Sequence, residues 1–219
     1  EYTKKVVYLD DEEIAVIDLE EGLKLYNIAD QERTPFFQQL EMELEALEKG
    51  GYEHFMLKEI WEQPRSIADS MRGRVRSDIG KIQMGGLLEY QFKLVNARRI
   101  LIIGCGTSWH AGLIGKNLIE RFAEIPVHVE YASEFRYNHS IIDNKTVIIS
   151  ISPSGETADT LAAIEKAHQK GCKILAICNV ENSTMARDAD AALFLKAGPE
   201  ISVCSTKAFT NQLALLTQL

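Results

Sequence analysis

The hydrophobic rhythm of the chain changes twice. Over residues 5–28 short apolar runs alternate with turns: Val6-Val7-Tyr8-Leu9, an acidic turn at Asp10-Asp11-Glu12, a run at 14–17, then Leu23, Leu25 and Ile28. That pattern predicts short antiparallel strands. Three strands of this size make a poor free-standing domain, so they read as the edge of a larger sheet. From Thr34-Pro35 the spacing turns helical, with Phe36, Phe37, Leu40, Leu44 and Leu47 on one side. Glu41, Glu43, Glu45 and Glu48 form its solvated face, and Gly50-Gly51 close it. A second helical pattern over 53–61 is stopped by Gln63-Pro64, and Pro64 opens a third over 65–71. Arg72, Arg74 and Arg76 make a small basic run that reads as surface, and Gly85-Gly86 precede a helix over 87–96.

Beyond residue 96 apolar strands and helices alternate. Strands are predicted at 100–103, 127–131, 146–151, 173–178 and 191–195, with helices at 109–122 and 158–170 and a last one from 207 onward. Nearly all-apolar strands separated by helices imply a parallel sheet covered on both faces. The fold class is therefore α/β, a doubly wound five-stranded parallel sheet over residues 91–219, preceded by a short β and helical segment. The common strand order for such a sheet is 2-1-3-4-5, with a switch point between the first and third strands.

Two loops fall at that switch point. Ile103-Gly104-Cys105-Gly106-Thr107-Ser108 follows the first strand, and Ser152-Pro153-Ser154-Gly155-Glu156-Thr157 follows the third. Each passes from an apolar strand through glycine and hydroxyl residues into a helix, whose N-terminus carries unpaired N–H groups and the positive end of the dipole. Hydroxyls at Ser108, Ser152, Ser154 and Thr157 add donors for the same anion. Either loop alone is explained by turn and cap chemistry. The pair at one crevice points to a phosphate clamp.

A dinucleotide site is the rival reading. Gly104-Cys105-Gly106 begins a G-x-G-x-x-G, but Trp109 occupies the third glycine position, while Glu130 sits where a ribose-binding acid would. Neither loop ends in G-K-[ST], which excludes a Walker site.

Composition narrows the partners. A net charge of −8 argues against nucleic acid or an anionic membrane. Hydrophobic and charged fractions of 46% and 26% are those of a globular protein, and no apolar run is long enough to span a bilayer. Cys105, Cys172, Cys178 and Cys204 lack C-x-x-C or zinc spacing, so a reducing cytoplasm is the expected location and no metal is expected. Cys105, between two glycines at a helix entrance, is read as a backbone position close to a ligand and not as a nucleophile.

The motifs Cys105-Gly106-Thr107-Ser108, Ser152 through Thr160, Gly198-Pro199-Glu200-Ile201 and Ser205-Thr206-Lys207-Ala208-Phe209 resemble the glutamine–fructose-6-phosphate aminotransferase (isomerizing) family, the glucosamine-6-phosphate synthases. Met56 through Pro64 and Ala132 through Tyr137 are similar to the same family. The resemblance implies a glutaminase domain that releases ammonia from glutamine, followed by two sugar isomerase (SIS) domains that aminate and isomerise fructose 6-phosphate to glucosamine 6-phosphate. It implies that residues 1–49 are the end of the glutaminase domain, 50–90 a helical linker and 91–219 the first SIS domain. The glutaminase nucleophile and the catalytic groups of the second SIS domain are then absent, so this chain is expected to bind and not to catalyse, without a cofactor. A homodimer through SIS domains is the expected assembly.

Carried over by position, Thr107, Ser108, Ser152, Ser154 and Thr157 match sugar-phosphate contacts. Cys105, Gly106 and Val203 match backbone positions near the sugar, and Glu200 and Lys207 a segment lining the pocket. Pro153 departs from the glutamine common in the family and supplies no donor. A phosphosugar-sensing regulatory module and a stand-alone phosphosugar isomerase are the alternative functions.

Overall fold

The computed structural model describes residues 5–39 and 48–219, in two compact units divided between Glu48 and Lys49. The first unit holds β1 (Lys5–Val6), β2 (Glu13–Asp18), β3 (Gly22–Asn27), β4 (Glu32–Arg33) and β5 (Gln38–Gln39). β2, β3 and β4 form an antiparallel sheet, and β1 pairs with β5. The expected helix from Thr34 does not begin there: residues 34–37 are irregular and Gln38 and Gln39 pair with Val6 and Lys5. This long-range ladder outweighs local helical spacing, and strand β1 ends at Val6, short of Leu9. The rest of that expected helix, 40–47, lies outside the described residues.

The second unit begins with α1 (Phe55–Met71), followed by a two-stranded ribbon of β6 (Val75–Arg76) and β7 (Lys81–Ile82). A 3₁₀ turn at Gly85–Leu87 leads to α2 (Gln91–Val95), shorter than the helix expected over 87–96. Then come β8 (Arg99–Gly104), α3 (Thr107–Ala123), β9 (Val127–Tyr131), α4 (Ala132–Tyr137), β10 (Thr146–Ile151) and α5 (Ala158–Gln169). The unit continues through β11 (Lys173–Cys178), α6 (Thr184–Asp188), β12 (Ala191–Phe194) and α7 (Lys207–Leu216).

Pro64 does not divide α1 as the sequence suggested. The helix runs through it. Proline removes the N–H that would bond the carbonyl four residues back, and here the Gln63 Nε2 donates to that carbonyl, Ile60 O, at 2.9 Å.

The five parallel strands lie in the order β12-β11-β10-β8-β9. Numbered along the chain this is the expected 2-1-3-4-5 arrangement. One face packs Ile100, Ile102, Val147, Ile149, Leu175, Ile177 and Leu193 against Ala111 and Ile119 of α3 and Ala208, Leu215 and Leu216 of α7. The opposite face packs Leu101, Ile103, Ile148, Ile174 and Ala176 against Phe135 of α4, Ala163 and Ile164 of α5 and Met185 of α6. Both faces are thus covered, which is why β10 is buried along its whole length.

α1 packs on the outer side of α7. Its inward stripe is polar: Lys58, Glu59, Ser66 and Ser70 are buried, while Met56, Leu57, Ile60 and Trp61 are exposed. Ser66 Oγ donates to Asn211 Oδ1 at 3.1 Å, and Asn211 Nδ2 returns a bond to Ser66 O at 3.0 Å. Of the basic run, Arg72 and Arg76 lie at the surface as expected, and Arg74 is half-buried. Arg74 donates to Ser70 O and Phe194 O, while Arg72 and Arg76 pair with Asp69 and Asp78.

Candidate functional site

β8 and β10 are neighbours in register, with Gly104 opposite Ile151, so the two hydroxyl-rich loops leave the sheet side by side. Gly104 allows that approach: a Cβ there would lie 3.1 Å from Ile151 O and from Ser108 Cβ. α3 and α5 start immediately beyond these loops. Their N-caps, Gly106 and Thr157, make no side-chain capping bond. Both helix N-termini lie at the switch point of the sheet: α5 leaves its first-turn N–H groups for an outside acceptor, whereas in α3 Ser108 N and Trp109 N already donate to Cys105 O at 3.2 Å and Gly106 O at 3.1 Å, which leaves Thr107 N.

The hydroxyls are arranged differently in the two loops. Ser152 is buried and central: its Oγ shares hydrogen bonds with Thr157 Oγ1 at 3.0 Å and Ser154 Oγ at 3.5 Å, and accepts from Gly155 N at 3.2 Å. Ser154 is exposed, accepting from Glu156 N at 3.2 Å. Thr157 is half-buried. Ser108 is buried and accepts from Gln212 Nε2 of α7 at 3.1 Å. Thr107 and Gly106 are exposed at the rim, and Cys105 is half-buried against the α4–α6 side of the core.

The segment 198–206 closes one side of this region. Asn179 ties it to the second loop, since its N donates to Pro153 O at 2.9 Å, its Nδ2 to Gly198 O at 2.7 Å, and its Oδ1 accepts from Ala197 N at 2.9 Å. Glu59 of α1 holds the same segment through one oxygen, which accepts from Ile201 N at 2.6 Å and Ser202 N at 3.0 Å. Glu200 accepts from Thr206 N and Ala208 N and so caps α7. Val203 sits in this segment with its side chain fully exposed. Lys207 is not available to a ligand. It is 4% exposed and its Nζ bonds Glu62 Oε2 at 2.7 Å.

Asn179, Gln212 and Glu59 went unnoticed in the sequence, because a polar residue gives no local sign of being buried against a distant loop. Glu59 alone had a local hint, since it falls within the Met56–Pro64 motif.

Trp109, at the third glycine position of the rival dinucleotide motif, stacks on Tyr131 at 4.4 Å between centroids. The close helix–strand contact is made one turn later, at Gly112, where a Cβ would lie 2.9 Å from Ile102 Cγ2. Glu130 lines a cavity of about 700 Å³ with Arg99, His128 and Ser140, none of them from the two loops.

Cys172 and Cys178 are buried, and burial pushes both thiols up to about 11, so neither is a thiolate at neutral pH. Among the described residues no cluster of His, Cys, Asp and Glu is placed to hold a metal, and no helix is long and apolar enough to cross a membrane.

Comparison with known proteins places this architecture. The SIS domain family model matches residues 93–219. The chain belongs to the SIS domain family. Over its whole length it is 54% identical to a glutamine–fructose-6-phosphate aminotransferase [isomerizing] of Bacteroides thetaiotaomicron and 44% identical to one of Pyrococcus horikoshii. The chain spans 36% and 35% of those two proteins, about a third of their length. Among solved structures, the C-terminal domain of glucosamine-fructose-6-phosphate aminotransferase from Francisella tularensis superimposes with a TM-score of 0.70 at 42% identity, covering 78% of this chain and 47% of that one. The tagatose-6-phosphate ketose/aldose isomerase of Escherichia coli shares the fold at 21% identity, with a TM-score of 0.61 over 74% of this SIS chain and 45% of its own.

Proposed function

We propose that this SIS domain binds fructose 6-phosphate for a glutamine–fructose-6-phosphate aminotransferase that releases glucosamine 6-phosphate. The observation that carries the reading is the pair of uncapped helix N-termini, fringed by Ser108, Ser154 and Thr157, at the switch point of the sheet. The identity to named aminotransferases along the entire chain supports the same substrate.

In this reading the phosphate lies between the starts of α3 and α5. Thr107 and Ser108 approach from one loop, Ser152, Ser154 and Thr157 from the other, and backbone groups of Cys105, Gly106 and Val203 border the sugar. Fixing the phosphate presents the sugar carbonyl to reacting groups elsewhere in the enzyme, and positioning of this kind lowers a barrier without a catalytic group of its own. The complete protein hydrolyses glutamine, passes ammonia to the ketose and isomerises the product. Residues 1–49 close its glutaminase domain, the SIS domains pair it into a homodimer, and it works in the cytoplasm.

Calorimetric titration with fructose 6-phosphate, glucosamine 6-phosphate, fructose and NAD tests the reading. Phosphosugars alone should bind. Ser154→Ala should lower affinity roughly tenfold or more, the worth of a hydrogen bond to a charged group, with an unchanged melting temperature because Ser154 is exposed. Equal binding of fructose, or binding of NAD alone, would overturn it. Pro153→Gln should raise affinity, by adding an amide donor beside Ser152 and Ser154.

A further inference from the structure

One hydrogen bond in the crevice decides what Ser108 offers a ligand. Gln212 has no exposed surface, and its Nε2 donates to Ser108 Oγ at 3.1 Å from the far side of the loop. A serine hydroxyl has one proton and two acceptor lone pairs. The amide engages one lone pair, and among the described residues Ser108 Oγ makes no other hydrogen bond, so its proton and its second lone pair remain. Ser108 lies in the first turn of α3, 2% exposed, beside an N-cap that makes no side-chain bond.

We infer that Gln212 is a positioning residue that sets Ser108 as a donor toward the phosphate. The inference rests on the sugar-phosphate reading above. A serine free to rotate can turn its proton toward α7; the Gln212 amide bars it from that side and leaves it at one of the two positions directed away from α7. The first loop is thereby matched to an acceptor-only group such as a phosphate dianion. Gln212 Oε1 is buried without a hydrogen-bond partner among the described residues, a state that costs stability relative to an apolar side chain of the same shape. Packing of α7 alone does not call for glutamine at this position, whereas orientation of Ser108 does.

The test is a double-mutant cycle in the full-length protein, read by calorimetry with fructose 6-phosphate and, separately, by thermal denaturation. Ser108→Ala and Gln212→Met should each weaken binding roughly tenfold, and the double variant should lose no more than either single change. Multiplying losses, or Gln212→Met binding like the unaltered protein, would show that Gln212 only packs. In that case a loss in Ser108→Ala would leave the sugar-phosphate reading standing. Absence of binding to the unaltered protein would remove both. Should Gln212→Met fail to fold, the side-chain amide resonances of Gln212 in protein selectively labelled with ¹⁵N-glutamine decide the matter. A shift on adding fructose 6-phosphate and none on adding fructose supports the role; no shift on saturation with the phosphosugar overturns it.

Discussion

Gly155 occupies the tightest point of the second loop. Its φ is +68°, and a Cβ built there would fall 2.2 Å from Ser183 Oγ and 2.5 Å from Ser183 Cβ. Its N–H bonds Ser152, and its carbonyl accepts from Met185 N at 3.0 Å, so the residue is fixed from both sides. Gly155→Ala therefore meets two separate penalties. The left-handed backbone costs about 1–2 kcal/mol for a residue with a Cβ, and the overlap with Ser183 adds to it. We expect the denaturation midpoint to fall, and Ser183→Gly in the same chain, judged against Ser183→Gly alone because that change also removes the Ser183 cap on Ala186 N, to recover the steric part while leaving the backbone part. Gly106 is the useful contrast: its φ is +55° but nothing lies within 4 Å of a built Cβ. Complete recovery in Gly155→Ala/Ser183→Gly would mean that the backbone conformation there is not strained for alanine.

At the scale of elements, α1 shows how a local signal is overruled. Gln63 supplies to the Ile60 carbonyl the donor that Pro64 lacks. Gln63→Ala should cost about 0.5–1 kcal/mol, a modest hydrogen bond at a partly exposed site. In a Pro64→Ala background the same change should cost almost nothing, because the backbone N–H of Ala at position 64 takes over; urea unfolding of the four proteins measures both. Equal costs in both backgrounds would deny Gln63 the compensating role. The strands of the parallel sheet were legible for the opposite reason. Their burial on both faces writes itself as unbroken apolar runs such as Val147-Ile148-Ile149, and with five such strands the order and the switch point follow from general topology. The short α4 and α6 have too few turns to show a period. α1 misleads further because its apolar residues face outward while Lys58, Glu59 and Ser66 face α7. The loop hydroxyls were visible as motifs, but the partners that aim and hold them, Gln212 and Asn179, lie on elements remote in sequence.

Within the unit 49–219 those partners belong to a row of polar contacts along α7. Ser108 meets Gln212 on α7, Asn211 beside it meets Ser66 on α1, and Lys207 at the start of α7 meets Glu62 on α1. The segment that α1 steadies through Glu59 is the one that Asn179 joins to the second loop. α1 is thus part of the frame of the crevice, and its Glu62 is the point at which that can be tested. Glu62→Gln keeps the shape but leaves the Lys207 ammonium, 4% exposed, without its carboxylate. Removing one member of an enclosed ion pair costs roughly 3–5 kcal/mol; Glu62 retains about a third of its exposure, so about 2–3 kcal/mol is expected. Glu62→Gln/Lys207→Met should regain part of that, since the buried Lys207 charge is removed while Lys58, which also pairs with Glu62 at 3.6 Å, keeps its own. Fructose 6-phosphate binding should weaken in Glu62→Gln even where the protein is fully folded, because Lys207 directly follows the segment proposed to border the sugar. A stability loss with unaltered affinity would confine α1 to holding the fold together; a loss of both, restored together in the double variant, makes the helix part of the binding frame.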